Sequence, residues 1–222
     1  MPRNIATVEA ASLVLDYGLY PRHKTDSQKV REMVEAMQAG AVFPPVIACR
    51  STHRVIDGFH RINAVLRAYG AQAPIKVEWR DYANDAERFA DAMALNANHG
   101  QKLSRWDQTM CLVKAQTLGL PTEQAAAALS IPLDRAQQLL VTRTATDSHQ
   151  EPYTLKRTMQ HMAGQTLTVE QEKYNEQAGG LNQLFYVRQV SLMLEAKAED
   201  KANEALEEAL KHLYALLGQR YP

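Results

Sequence analysis

Apolar residues recur along this chain with two different periods, and the change between them divides it. Over residues 27 to 104 short β-branched runs alternate with stretches of helical spacing, whereas from Leu103 onward the spacing is helical throughout. Residues 4 to 20 carry Ile5, Val8, Leu13, Val14, Leu15 and Leu19, which predict one or two strands before Tyr20-Pro21-Arg22 breaks the run. Asp26 or Ser27 then caps a helix from Gln28 to Gln38, with Val30, Met33, Val34 and Met37 on one face and Gly40 as its stop. Phe43-Pro44-Pro45 forces extended backbone ahead of a strand at Val46 to Cys49, which turns through Arg50-Ser51-Thr52-His53-Arg54 into Val55-Ile56. A helix follows, with Ile62, Ala64, Val65, Leu66 and Ala68 at helical spacing up to Gly70. Pro74 to Trp79 alternates as a further strand, and Asn84 or Asp85 opens a helix through Phe89 and Met93 that ends near Asn96-Ala97-Asn98-His99-Gly100.

The second half predicts helices alone. Ser104 caps a helix from Arg105 to Leu118, ended by Gly119. Pro121 to Leu139 has the pattern of a helix-turn-helix: small Ala126 where two helices cross, a turn at Ser130 where glycine is usual, apolar Ile131 in the gap, and Ala136 with Leu139 packing the second helix back. Pro132 at the start of that helix is tolerated because its missing N–H has no helical partner there. Residues 145 to 153 have the composition of a linker, and Leu155, Met159, Met162 and Leu167 predict one helix and part of another. Beyond Gly179-Gly180, two amphipathic helices are expected at about 181–197 and 200–217. The expected class is α+β: a small mixed sheet with helices in residues 1–103, an all-α helix-turn-helix region at 104–146, and a C-terminal helical hairpin within 147–222.

Charge adds a constraint. The 222 residues hold 25 Lys plus Arg against 25 Asp plus Glu, so any footprint for a polyanion has to be local. Residues 166 to 222 are acidic, with 6 basic against 9 acidic side chains. Cys49 and Cys111 are far apart and outside any Cys-x-x-Cys pair, so neither a disulfide nor a zinc site is indicated, and both are expected as buried thiols in a reducing cytoplasm. No apolar leader or membrane-length stretch is present, and a cytoplasmic location with no membrane partner is expected.

The candidate chemistry centres on Val55-Ile56-Asp57-Gly58-Phe59-His60-Arg61-Ile62-Asn63-Ala64. A strand passes through a glycine turn into a helix there, and the first helical amides have no intrahelical acceptor. His60 and Arg61 sit where the helix dipole already disfavours positive charge, a placement that suits a bound phosphate or carboxylate. In the plainer alternative His60 caps a loop and Arg61 pairs with Asp57.

Asp57-Gly58-Phe59-His60-Arg61 with Ala64 resembles the Gly-x-x-Arg-x-x-Ala box of the ParB N-terminal and sulfiredoxin-like superfamily, and its Asp-Gly-x-His-Arg form is similar to that of StrR-type regulators and ParB-fold free serine kinases. The resemblance runs from about residue 8 to 104 and takes in Pro21-Arg22, Phe43-Pro44-Pro45 and Asn96 to Gly100. It implies a nucleotide phosphate site at Arg22, Asp57, Gly58, Phe59, His60, Arg61, Asn98 and His99, with CTP or ATP and Mg²⁺ as the cofactor and no metal held by protein ligands alone. Two departures matter. Ala97 stands where partition ParB proteins carry the Glu used in metal-assisted CTP hydrolysis, and Phe59 stands where sulfiredoxin needs its cysteine. No catalytic residue is assigned.

The second helix of the helix-turn-helix offers Arg135, Gln137, Gln138 and Arg143 to base edges, with Thr142 and Thr144 for phosphates and Lys156-Arg157 extending the basic face. The alternative is a helical hairpin that only packs. The expected protein is a ParB-like regulator of transcription or partition, plasmid- or phage-associated, with duplex DNA, a nucleotide and a second copy of itself as partners, the last through residues 181–217. The enzyme alternative is a nuclease or a phosphotransferase resembling the serine kinases, with Asp57 and His60 at the phosphate and Glu9 as base.

Overall fold

The computed structural model describes residues 4–98, 102–179 and 183–221. They form two units, one up to Gln177 and one from Ala178. The class is α+β, as the two hydrophobic periods require. Strands β1 (Ile5–Glu9), β2 (Val46–Cys49), β3 (Val55–Asp57) and β4 (Pro74–Arg80) make one mixed sheet in the order β1-β4-β2-β3. β2 runs parallel to β4, and the other two pairings are antiparallel.

Every residue of β2 is buried, because both faces of the sheet are covered. Val46, Ala48, Val55 and Val77 pack on one side against Phe59, Ile62 and Val65 of helix α2 (Phe59–Tyr69). Ile47, Cys49 and Ile56 pack on the other against Ala92 of helix α3 (Asp85–Asn98). Helix α1 (Ser27–Gln38) lies alongside α2. Residues 10 to 20, expected to be extended, instead form 3-10 turns at Ala10–Ser12 and Tyr17–Leu19, and only Val14 bridges to Arg54. Leu13 and Leu19 are buried there by packing rather than by strand pairing.

Helix α3 also joins the sheet to the helices that follow. Phe89 and Met93 enter a core shared with α4 (Arg105–Thr117), α5 (Thr122–Ala128) and α6 (Leu133–Arg143), built on Leu112, Ala115, Ala126, Leu129 and Leu139. α5 and α6 are joined by a tight turn in which Ser130 has φ 54°. Thus serine occupies the left-handed position that glycine prefers.

Residues 145–153, expected as a linker, form a hairpin of β5 (Thr144–Thr146) and β6 (Pro152–Thr154). Its turn is closed by the Asp147 carboxylate, which accepts from the amides of His149 and Glu151. Where Leu155, Met159, Met162 and Leu167 predicted one helix and part of another, the chain forms a 3-10 segment, Arg157–Met162, followed by α7 (Val169–Gln177). Leu155, Met159 and Leu167 pack with Ala145 into a small core beneath the hairpin. In the second unit, α8 (Gln183–Glu195) and α9 (Glu204–Arg220) contain no buried residue. Among the described residues, no helix is long and apolar enough to cross a membrane.

Candidate functional site

β3 ends at Asp57, and Gly58 turns the chain into α2 with φ 109° and ψ 20°. A Cβ at this position would lie 2.6 Å from Cγ1 of Val46, so both the dihedral and the close approach to β2 exclude any side chain. Glycine has no side chain with which to cap the helix, and the first amides of α2 accordingly receive no side-chain acceptor.

Two other helices begin at the same cleft, and both are capped. At α1 the Asp26 carboxylate accepts from the amides of Gln28, 2.9 Å, and Lys29, 3.3 Å. At α4 the Ser104 hydroxyl accepts from the Asp107 amide while the Asp107 carboxylate accepts from the Ser104 amide, each at 3.1 Å. The three starts line a cleft of about 710 Å³ together with Arg22, Lys24, Lys29, His60, Arg61 and Lys102. Its three carboxylates, Asp26, Asp57 and Asp107, are engaged in capping or ion pairing. Cationic side chains and a helix start without a side-chain cap therefore line the same cavity, a combination that suits phosphate.

His60 bridges two of the helix starts. Its Nε2 accepts from the Asp26 amide at 3.0 Å, which places the ring proton on Nδ1. Burial, then Lys29 and Arg22, hold its pKa below the ordinary value. Arg61 is a strut. Its Nη1 donates to the carbonyls of Pro44, 2.8 Å, and Pro45, 2.7 Å, its Nη2 pairs with Asp57, and its side chain is only 12% exposed. This is the pairing named above as the plainer alternative, yet the residue still lines the cleft wall.

Arg22 lies across the cleft, its Nε donating to Oδ1 of Asn96 at 3.2 Å. Phe59 contributes backbone to the turn, while its ring is 2% exposed and stacks on Tyr20 with centroids 4.3 Å apart. Asn98 is elsewhere. Its Oδ1 accepts from the Ser130 hydroxyl at 3.1 Å, and Asn96, two residues earlier, lines the cleft in its place. His99 lies outside the described residues. Lys29, Lys102 and Trp106 were not singled out by the sequence, since nothing in their spacing separates them from ordinary surface or helix positions, and Asn96 was named only as the start of the segment running to Gly100. Among the described residues, the buried Tyr20 hydroxyl and Trp106 indole N–H of this wall have no hydrogen-bond partner. Burial also raises the Tyr20 pKa, so its hydroxyl stays protonated.

Glu9 is exposed on β1, at the sheet edge opposite β3, and is not among the residues lining the cleft. Cys49 and Cys111 are both buried and unpaired. Burial opposes ionisation of Cys49, but hydrogen bonds from Ser51, Thr52 and Arg88 outweigh it and lower its pKa to about 6.

A second cavity, of about 760 Å³, borders α6. Arg135, Gln138 and Arg143 line it, whereas Gln137 is exposed outside it. The hydroxyls of Thr142 and Thr144 donate to the carbonyls of Gln138 and Leu140, so their protons are spent within α6.

No known family profile matches this chain, and no curated protein matches it at a significant level. Among solved structures it is similar to the C-terminally truncated chromosome-partitioning protein ParB from Caulobacter crescentus complexed with CTP-gamma-S, at 13% identity and a TM-score of 0.38 over 61% of this chain and 76% of that one. The same protein complexed to the centromeric parS site gives 12% and 0.45 over 62% and 72%. A pNOB8-like ParB N-domain gives 17% and 0.39 over 69% of this chain and 54% of that one.

Proposed function

We propose that this chain is a ParB-like DNA-binding protein, acting in transcription control or partition, whose N-terminal cleft takes the phosphates of a nucleotide. The observation that carries the nucleotide reading is the asymmetry of the cleft: α1 and α4 are capped by carboxylate or hydroxyl, and only α2 begins with no side-chain cap, among Arg22, Lys24, Lys29 and Lys102. CTP or ATP with Mg²⁺ is the cofactor class that fits this donor set, Mg²⁺ being carried in by the triphosphate.

DNA would be contacted through α6 and the basic cavity beside it, and the nucleotide would bias that contact. Homodimerisation is proposed through α8 and α9. Leu206, Leu210, Leu213 and Leu217 follow one another at steps of four, three and four on α9, the spacing of a coiled-coil seam, and no residue of either helix is buried.

A thermal-shift screen of the full chain against CTP, ATP, GTP and their diphosphates with Mg²⁺, with and without duplex DNA, tests the reading. A rise in melting temperature with at least one nucleotide, lost in Lys29→Ala with Lys102→Ala, is expected. No shift with any of them rejects the nucleotide site, and a monomeric mass by light scattering at micromolar concentration rejects the dimer.

A further inference from the structure

The cavity beside α6 gathers more charge than α6 itself supplies. Residues 105–165 contain six basic side chains in all, and four of them, Arg105, Arg135, Arg143 and Arg157, line this one cavity. They come from three elements: Arg105 opens α4, Arg135 and Arg143 lie on α6, and Arg157 opens the 3-10 segment after β6. Among the described residues, no Asp or Glu lines the cavity with them.

Two of the four, Arg135 and Arg143, are held by neutral side chains. Nη1 of Arg135 donates to Oε1 of Gln138 at 2.9 Å. The Gln160 carboxamide oxygen, in the orientation that satisfies its neighbours, accepts from Nε and Nη2 of Arg143 at 2.9 and 3.0 Å. The end of α6 is fixed in turn, because the Leu155 amide donates to the Arg143 carbonyl at 2.7 Å. Burial, then the charges of Arg105, Arg135 and Arg157, depress the Arg143 pKa, which is the sign of cations held together without a counter-charge.

We infer that Arg105, Arg135, Arg143 and Arg157 form a clamp for the phosphodiester backbone of nucleic acid, and that α6 therefore contributes position more than base reading. This rests on the DNA-binding reading above and revises its residue roles. A base edge is read by a side chain standing out from a helix into a groove. Here the arginines converge from three elements on one concavity, which suits a compact anion. Of the α6 residues assigned to base edges, Gln137 alone stands exposed outside the cavity. Arg105 and Arg157 are both exposed, so replacing them removes charge without opening a core.

The experiment uses the full chain and a labelled short duplex of randomised sequence, with affinity measured across a potassium chloride series. Each phosphate contact contributes roughly 0.9 to the slope of log affinity against log salt. Arg105→Ala and Arg157→Ala are each expected to lower that slope by about one. They should weaken binding several-fold, equally for any sequence and with melting temperature unchanged, while Arg157→Lys keeps the slope. Affinity and slope unaltered in both Ala variants overturn the clamp and leave the DNA-binding reading standing. Losses confined to particular sequences overturn it in favour of base reading, and Arg157-dependent binding of inorganic pyrophosphate with unchanged duplex binding overturns it in favour of a free-phosphate site. If the wild-type chain binds no duplex at low salt, the DNA-binding reading itself fails and the clamp with it.

Discussion

The backbone amide of Asp26 donates to Nε2 of His60 at 3.0 Å, tying the first turn of α1 to the first turn of α2. The bond requires an unprotonated Nε2, and burial with Lys29 and Arg22 also disfavours the imidazolium. The folded state thus binds the proton less readily than the unfolded chain. Above the ordinary value of 6.5 both states are neutral at His60, and its contribution to stability is complete. As pH falls below 6.5, the unfolded chain takes up a proton that the fold resists, and stability declines until pH passes the lowered folded value. Denaturant unfolding measured through this range should show that decline, and His60→Gln, whose amide oxygen still accepts from Asp26, should flatten it. The Asp26 carboxylate beside His60 is held below its usual range by the Lys29 and Gln28 amides.

Gly58 carries the geometry of the cleft, and a side chain there meets two obstacles. The left-handed φ of 109° costs about 1 kcal/mol for an L-residue. The 2.6 Å approach to Val46 adds roughly 1–3 kcal/mol of overpacking. Gly58→Ala should therefore destabilise by about 2–4 kcal/mol in chemical denaturation. Because Val46 is the obstacle, the combination with Val46→Ala should cost less than the sum of the two single changes.

The strand, glycine turn and helix from Val55 to Ala64 could be read in the sequence because three local signals agree there: β-branched residues, a glycine, and apolar residues at helical spacing. Residues 145–153 misled for the opposite reason. Aspartate, serine and proline are as compatible with a hairpin turn as with a linker, and the β5–β6 pairing that decides between them depends on a core at Leu155, Met159 and Leu167. Asn98 was expected at the cleft because the resemblance to the ParB-like domain takes in the segment from Asn96 to Gly100. Two residues along α3 is more than half a turn, however, and Asn96 faces the cleft while Asn98 meets Ser130. The arginine cavity was legible only in part, since Arg105 and Arg157 are distant in the chain and meet only through packing.

Arg61 and the cleft lysines should separate in mutagenesis. With three backbone or carboxylate partners and little exposure, Arg61 holds Pro44-Pro45 against Asp57. Lysine offers no planar fork for those partners. Arg61→Lys should cost about 2 kcal/mol of stability, whereas exposed Lys102→Ala should stay within about 0.5 kcal/mol. Nucleotide affinity, by calorimetry on the folded fraction, should fall in Lys102→Ala.

Ser130 presents a conflict between backbone and side chain. Its φ of 54° places a non-glycine residue in left-handed space at a cost of about 1–2 kcal/mol, and its hydroxyl recovers part of that by donating to Asn98 at 3.1 Å. Ser130→Gly relieves the backbone and loses the bond, so alone it should shift stability upward by under about 1 kcal/mol. In an Asn98→Ala background the bond is already gone, and the same substitution should stabilise by about 1 kcal/mol or more. Urea midpoints of the four proteins in this cycle measure the difference. Equal effects of Ser130→Gly in the two backgrounds would mean that the hydroxyl contributes nothing and that Asn98 does not anchor the α5–α6 turn to α3.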